Sequence, residues 1–379
     1  LFAIVALLYY YHSSIKLGPA LFESKKRFHA LMGIIAISAI FVWTYGGFVC
    51  VPLLFGGYGI VAVLFNHYRT NFAGFKEAFM PLLSSLLGIF AGLAVHPHRE
   101  NFWQLLYDQL FITGLGAGSV IPAGNEWLPF NLVWLIQSNI LLLIIWGVSI
   151  GVLGYSFVKY FSDKDNNKID VLSVWLCLSS VGFLILTMWH RRFVEYWVPF
   201  AVFAAAVILR KYFNNVTISN LKFALTHWQF KLGVLLIAIM LAATSIYNVN
   251  YVISIMKSTN NNEQIGAASE WLKNNSNAGD IVFNTQWDHF PQLFYYNHYN
   301  YYIVGMDPTF LYIRDKVLYK KWKVVTGEHP LEWESVESIH HIIAQDFKSN
   351  YLFIENTRNT MLLEYIYQND QNQQYFRPT

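Results

Sequence analysis

The sequence predicts a multi-span α-helical membrane domain, residues 1–256, followed by a small exported α/β domain, residues 257–379, of about three mostly parallel strands with helices. Three observations lead there. Of 379 residues, 13% are charged, 55% hydrophobic and 18% aromatic, whereas an ordinary soluble domain carries about 25% charged residues. So few charges cannot solvate a soluble surface. Uncharged stretches of spanning length alternate with short charged loops as far as residue 256. Beyond it the chain turns polar and mixed, with short strand and helix patterns.

A spanning helix needs about 20 predominantly apolar residues. Residues 78–96, 131–157, 170–189 and 232–255 meet that need, and 194–209 makes a short span. Residues 1–11 read as the end of a span whose beginning is absent; the chain opens on Leu1, not Met, so the N-terminal part of a longer protein is expected to precede it. Residues 30–66 carry no charge and are too long for one helix. Gly46, Gly47 and Pro52 divide them into two short spans, about 30–48 and 50–66, with a re-entrant segment as the alternative. The expectation is about seven spans plus an N-terminal stub.

Lysine and arginine orient these spans. The loops at 12–29, 67–77, 158–169 and 210–231 hold 13 of them, while the alternate loops at 97–130 and 190–193 hold 3. The positive-inside rule assigns the first set to the cytoplasm and the domain after residue 256 to the opposite side. In a prokaryote that is the outer face of the plasma membrane; in a eukaryote it is the ER lumen. The net charge of +3 gives no reason to expect a nucleic-acid partner. Cys50 and Cys177 lie in apolar runs and make neither a disulfide framework nor a metal cluster.

In the exported domain, residues 262–275 place Ile265, Ala268 and Leu272 on one helical face, with Trp271 beside them. Residues 280–284, 300–304 and 351–355 are β-rich runs bounded by turn residues, and 308–322 and 335–347 read as helices. Strands alternating with helices predict a mostly parallel sheet.

Three segments could carry chemistry. Residues 190–200 set Arg191 and Arg192 in a minimal turn between two spans, on the side where positive charge is disfavoured. The bland reading is snorkelling, with Glu195 pairing either arginine; the functional one is a guanidinium pair that binds phosphate through its forked donors. The long loop 97–130 begins as an interfacial amphipathic helix, 96–110, with Phe102, Trp103, Leu105, Leu106 and Leu110 free to lie on lipid. It continues as a Gly-rich stretch with the isolated acid Glu126, either an ordinary connector or a mobile cover over a site. Trp287 and Asp288 follow the first strand and Asp307 the second, where α/β units carry ligand sites. The bland reading makes both aspartates turn or helix-start residues. No Walker loop, GxGxxG, CxxC, HExxH or GxSxG is present.

These pieces together resemble the GT-C membrane glycosyltransferases, distantly the catalytic subunit of oligosaccharyltransferases, over roughly residues 78–310. That family opens its exported domain with a helix bearing a Trp-Leu pair, then a strand, then a WWDYG motif. Residues 266–290, GAASEWLKNNSNAGDIVFNTQWDHF, keep that order. Trp287-Asp288 stands where the family has Trp-Asp, while His289 and Phe290 replace Tyr-Gly in a motif that grips the Ser or Thr of the family's acceptor sequon, so the resemblance leaves the acceptor type open.

The resemblance implies that Arg191 or Arg192 approaches the donor phosphate and that Trp287, Asp288 and Asp307 lie on the acceptor side. It implies that Glu126 assists a divalent cation, Mg or Mn, or the acceptor. The main catalytic carboxylate is expected upstream of residue 1. The activity it implies is transfer of a sugar or oligosaccharide from a polyprenyl-(pyro)phosphate in the bilayer to a protein, lipid or glycan acceptor on the non-cytoplasmic face. The alternative is a non-catalytic scaffold or a transporter with an exported binding domain. A transporter is disfavoured by the lack of charge at the centre of the confident spans.

Overall fold

The computed structural model describes residues 2–16, 21–44, 46–65, 72–108, 111–112, 121, 124–162, 169–213, 227–258, 262–327, 333–356 and 358–379. It comprises two compact units, Leu1–Leu110 with Asn125–Asn250, and Phe111–Gly124 with Tyr251–Thr379.

The first unit is helical: α1 (Phe2–Lys16), α2 (Leu21–Thr44), α3 (Cys50–Phe65), α4 (Phe72–Ala94), α5 (Arg99–Tyr107), α6 (Leu132–Ser162), α7 (Val171–Trp189), α8 (Val194–Phe213) and α9 (Trp228–Ser258). Among the described residues, seven helical segments are long and apolar enough to cross a membrane: 25–44, 46–65, 74–94, 132–162, 171–189, 191–210 and 231–257. They fit an integral multi-pass membrane protein. The uncharged run 30–66 does form two helices, joined through a 3-10 turn at Gly46–Val49.

In lipid, helices gain little from apolar burial against one another, so close backbone approach decides where they cross. Gly88 and Gly92, one turn apart on α4, provide that approach to α2. A Cβ on Gly92 would stand 2.7 Å from the Ala39 carbonyl; one on Gly88 would meet Ser38 Cβ at 2.9 Å and the Ile35 carbonyl closer still. Trp43 closes this crossing by donating from Nε1 to the Gly92 carbonyl at 2.9 Å.

Tryptophan indoles tie α7 to α3 and to α6. Trp175 of α7 is fully buried and donates to the Leu54 carbonyl of α3 at 2.9 Å. Trp146 of α6 donates to Ser180 Oγ of α7 at 2.8 Å. Asp170 caps α7 by accepting from Ser173 N and Oγ, and it stands 3.6 Å from His12 Nε2, whose Nδ1 meets the Tyr58 hydroxyl at 2.8 Å.

One expectation is corrected. Phe102 on α5 does not lie on lipid: it is buried with Val42, Phe48, Ile89 and Leu93. Only Trp103, 61% exposed, turns outward as the amphipathic reading requires. Leu110 and the Leu105 side chain lie outside the described residues.

The second unit contains α10 (Asn262–Asn275), β1 (Ile281–Asn284), α11 (Phe290–Tyr296), β2 (Tyr301–Tyr302), α12 (Thr309–Arg314), α13 (Lys316–Val325), α14 (Val336–His341), β3 (Ser349–Phe353) and α15 (Thr360–Asn369). The three strands form one parallel sheet in the order β2-β1-β3. The expected helix 308–322 is two, because the Asp315 backbone turns extended and its carboxylate accepts from Val317 N and Leu318 N to start α13. Phe283, Trp322, Val325, Ile339 and Leu362 build the core, which also takes in buried Ile121 and, at its margin, Ile112. Residues 111–124 thus belong to the sheet-bearing unit.

Candidate functional site

In the first unit, the connections α5–α6 and α7–α8 fold onto one another. α7 ends at His190, where the chain turns extended and a 3-10 turn, Arg191–Phe193, leads into α8. A second 3-10 turn, Asn125–Trp127, lies against it. His190 Nδ1 meets the Trp127 carbonyl at 2.6 Å, and Arg191 N donates to the Leu128 carbonyl at 2.8 Å. One ring-to-carbonyl and one backbone hydrogen bond therefore fix where the arginine pair begins.

Aromatic rings then hold their charges. The Arg191 guanidinium carbon lies 5.3 Å from the Phe130 ring centre and 5.1 Å from that of Trp134. Arg192 lies 5.4 Å from the Trp127 ring centre, and its Nη1 stands 3.9 Å from Glu126 Oε1. Cation–π contact steadies a guanidinium without consuming its N–H donors. Arg191 Nε is buried without a hydrogen-bond partner, and among the described residues Arg191 forms no ion pair. Its charge is held in place with the fork still uncommitted.

The structure thus brings Arg191, Arg192 and Glu126 together, an association their separation of more than sixty positions in the sequence conceals. Glu126 faces a guanidinium, not further oxygen or nitrogen donors, and no group of three metal-ligating side chains occurs among the described residues. His190, Trp127, Phe130 and Trp134 escaped the sequence reading; the aromatic run WLPFNLVW (127–134) was their signal.

The second unit gathers polar groups at the carboxyl ends of its parallel strands, where the strand ends open toward their connecting loops. After β1, Trp287–His289 forms a 3-10 turn. Trp287 packs against the core, while Asp288 is exposed and forms an ion pair with Arg358. Buried His289 presents Nε2 to Glu355 Oε2 at 2.7 Å, and Arg358 Nε lies 3.4 Å from the same oxygen. Asp288 holds the Arg358 guanidinium above its usual range, through their hydrogen bond first, against the opposing effect of burial. His289, Glu355 and Arg358 thus join Asp288 in one chain of charges that the sequence reading missed. Nothing in their spacing, on loops after β1 and β3, announces it.

Asp307 accepts from Thr309 N at 2.8 Å and starts the turn into α12. It stays on its own loop, as the bland reading has it. Comparison with known protein families and with curated proteins yields no match for this chain.

Proposed function

We propose that the protein is a GT-C-type membrane glycosyltransferase that takes a sugar or oligosaccharide from a polyprenyl-(pyro)phosphate donor. The observation that carries the reading is Arg191: a guanidinium held over two adjacent aromatic rings beside the end of a span, with its donors uncommitted. In the transfer the bond from the anomeric carbon to the phosphate oxygen breaks, the acceptor's oxygen or nitrogen bonds to that carbon, and the acceptor's proton passes to a carboxylate base. Negative charge collects on the departing phosphate, and Arg191 stabilises it through paired hydrogen bonds. Arg192 adds long-range positive charge, tempered by Glu126. Trp287 and Asp288 belong to the acceptor side, with Arg358 setting the Asp288 carboxylate.

Two further observations favour an active face outside the cytoplasm. Lysines and arginines concentrate in the loops at 12–29, 67–77, 158–169 and 210–231, opposite the loops that carry Glu126, Arg191 and Arg192. Residues 112 and 121, from the connection preceding α6, share a core with residues 283–366, so the connection and the C-terminal domain belong on one side of the bilayer.

Membranes bearing the protein and supplied with radiolabelled lipid-linked sugar provide the test. Arg191→Ala is expected to lower transfer by about tenfold to a hundredfold, the loss of one or two charge-assisted hydrogen bonds. Arg191→Lys, which keeps the charge but not the fork, falls between. Undiminished transfer by Arg191→Ala removes the phosphate-clamp assignment.

A further inference from the structure

β3 is an edge strand, and along its open side runs a cleft of about 870 Å³ between α10, α15 and the tail that follows α15. That volume falls within the range of ligand clefts, about 300–1,000 Å³. Trp271 on the α10 wall is 38% exposed and Tyr367 on the α15 wall 56%. Trp271 is steadied by edge contact with Tyr351, ring centres 6.4 Å apart, and the Tyr351 hydroxyl donates to the Asn275 carbonyl at 2.7 Å.

Between the two aromatic walls the cleft is lined by carboxamides: Asn350 of β3, with Gln371, Gln373 and Gln374 of the tail. None of these four side chains has a hydrogen-bond partner among the described residues. Three of them ride on a fixed turn. The Asp370 carboxylate accepts from the backbone amides of Gln374, Tyr375 and Phe376 at 2.8, 3.1 and 2.7 Å, and Gln373 takes a left-handed φ of 51°. Among the side chains that line the cleft, Asp370 and Arg377 carry charge, and Asp370 is already spent on those amides.

We infer that this cleft binds a neutral oligosaccharide. A pyranose offers an apolar C–H face, which an exposed indole or phenol ring covers, and a rim of hydroxyls that both donate and accept. A carboxamide both donates and accepts as well, so it matches a hydroxyl where a lone carboxylate or ammonium would not. The outward backbone groups of the edge strand add further donors and acceptors. An anionic or cationic ligand would find no concentrated counter-charge. A peptide strand added to β3 would use the backbone edge but would leave the exposed Trp271 and Tyr367 rings and the carboxamides without a specific role. The inference is independent of the transferase reading, since binding here needs no donor lipid and no transfer.

The test uses the full chain in phosphatidylcholine nanodiscs, with maltotriose, chitotriose and mannotriose as separate probes in saturation-transfer NMR. At least one trisaccharide is expected to bind saturably, with strongest transfer to its ring C–H protons. Trp271→Ala and Tyr367→Ala should each weaken binding by about tenfold, Trp271→Phe should largely restore it, and Gln371→Ala should weaken it without touching an aromatic wall. Unchanged thermal melting establishes that each variant remains folded. The inference is overturned if none of the three sugars binds, if binding survives the Trp271→Ala plus Tyr367→Ala double variant, or if a β-forming Val-Thr decapeptide binds the cleft while all three sugars fail.

Discussion

Arg191 carries its charge over two adjacent rings, whereas Asp288 shares its charge with Arg358 and, through it, with Glu355 and His289. The two residues therefore respond differently to substitution. Arg191→Ala should leave thermal stability nearly unchanged while lowering transfer. Glu355→Ala removes the buried carboxylate that stands 2.7 Å from His289 Nε2 and 3.4 Å from Arg358 Nε, and should destabilise the sheet-bearing unit by about 1–3 kcal/mol. Chemical denaturation followed by fluorescence reads that loss. Tyr302, whose hydroxyl donates to the Asn297 carbonyl at 2.9 Å, is pushed up by burial to about 12. A folded value raised above the ordinary 10.0 makes its contribution complete below about pH 10 and lost as pH climbs toward about 12. Denaturation midpoints measured from pH 9 to 12 should fall for the parent chain and fall less for Tyr302→Phe; equal slopes would remove Tyr302 as the cause. Charge scarcity made Arg191 legible in the sequence, but the chain through Glu355 and Arg358 was not, because ion pairs between loops leave no periodic trace.

At the level of elements, periodicity did most of the work. Uncharged runs of sufficient length became helices, and the helix at 262–275 and the three strands lie where apolar spacing and turn residues put them. Boundaries set by a single side chain were harder to read. Asp315 sits in an apolar pattern that continues on both sides of it, so only its capping hydrogen bonds reveal two helices. Phe102 carries the pattern of a lipid-facing residue but finds a protein partner in Phe48, ring centres 5.7 Å apart. The contact between α2 and α4 gives the clearest test. An added methyl at Gly88 meets backbone, which cannot swing aside. Gly88→Ala should therefore cost about 1–3 kcal/mol despite alanine's better helix propensity. Gly182→Ala, where a Cβ meets nothing within 4 Å, is the matched control. Detergent-solubilised thermal melts should separate the two; equal melting temperatures would mean that the two helices do not rely on this close approach.

For the whole molecule, seven candidate spans and a sheet-bearing unit follow from the sequence, while the membership of residues 111–124 does not. Ile112 and Ile121 reach their core partners across a long sequence interval, and hydropathy alone cannot report such a pairing. Sidedness is open to direct measurement in intact cells carrying single cysteines, after Cys50 and Cys177 are replaced. A membrane-impermeant maleimide should label His98→Cys and Tyr295→Cys from outside and leave Lys159→Cys unlabelled until the membrane is opened. Labelling of His98→Cys without Tyr295→Cys would refute a common side for the loop between α4 and α6 and the C-terminal domain.

The shared core also sets a timetable. Ile121 leaves the ribosome four spans before the strands it packs against are made. Until then its partners do not exist, and any chaperone that shields it must persist through insertion of α6 to α9. Completion of the C-terminal domain is therefore what releases this segment from quality control, so a chain stopped after α9 should be degraded even with every span in place.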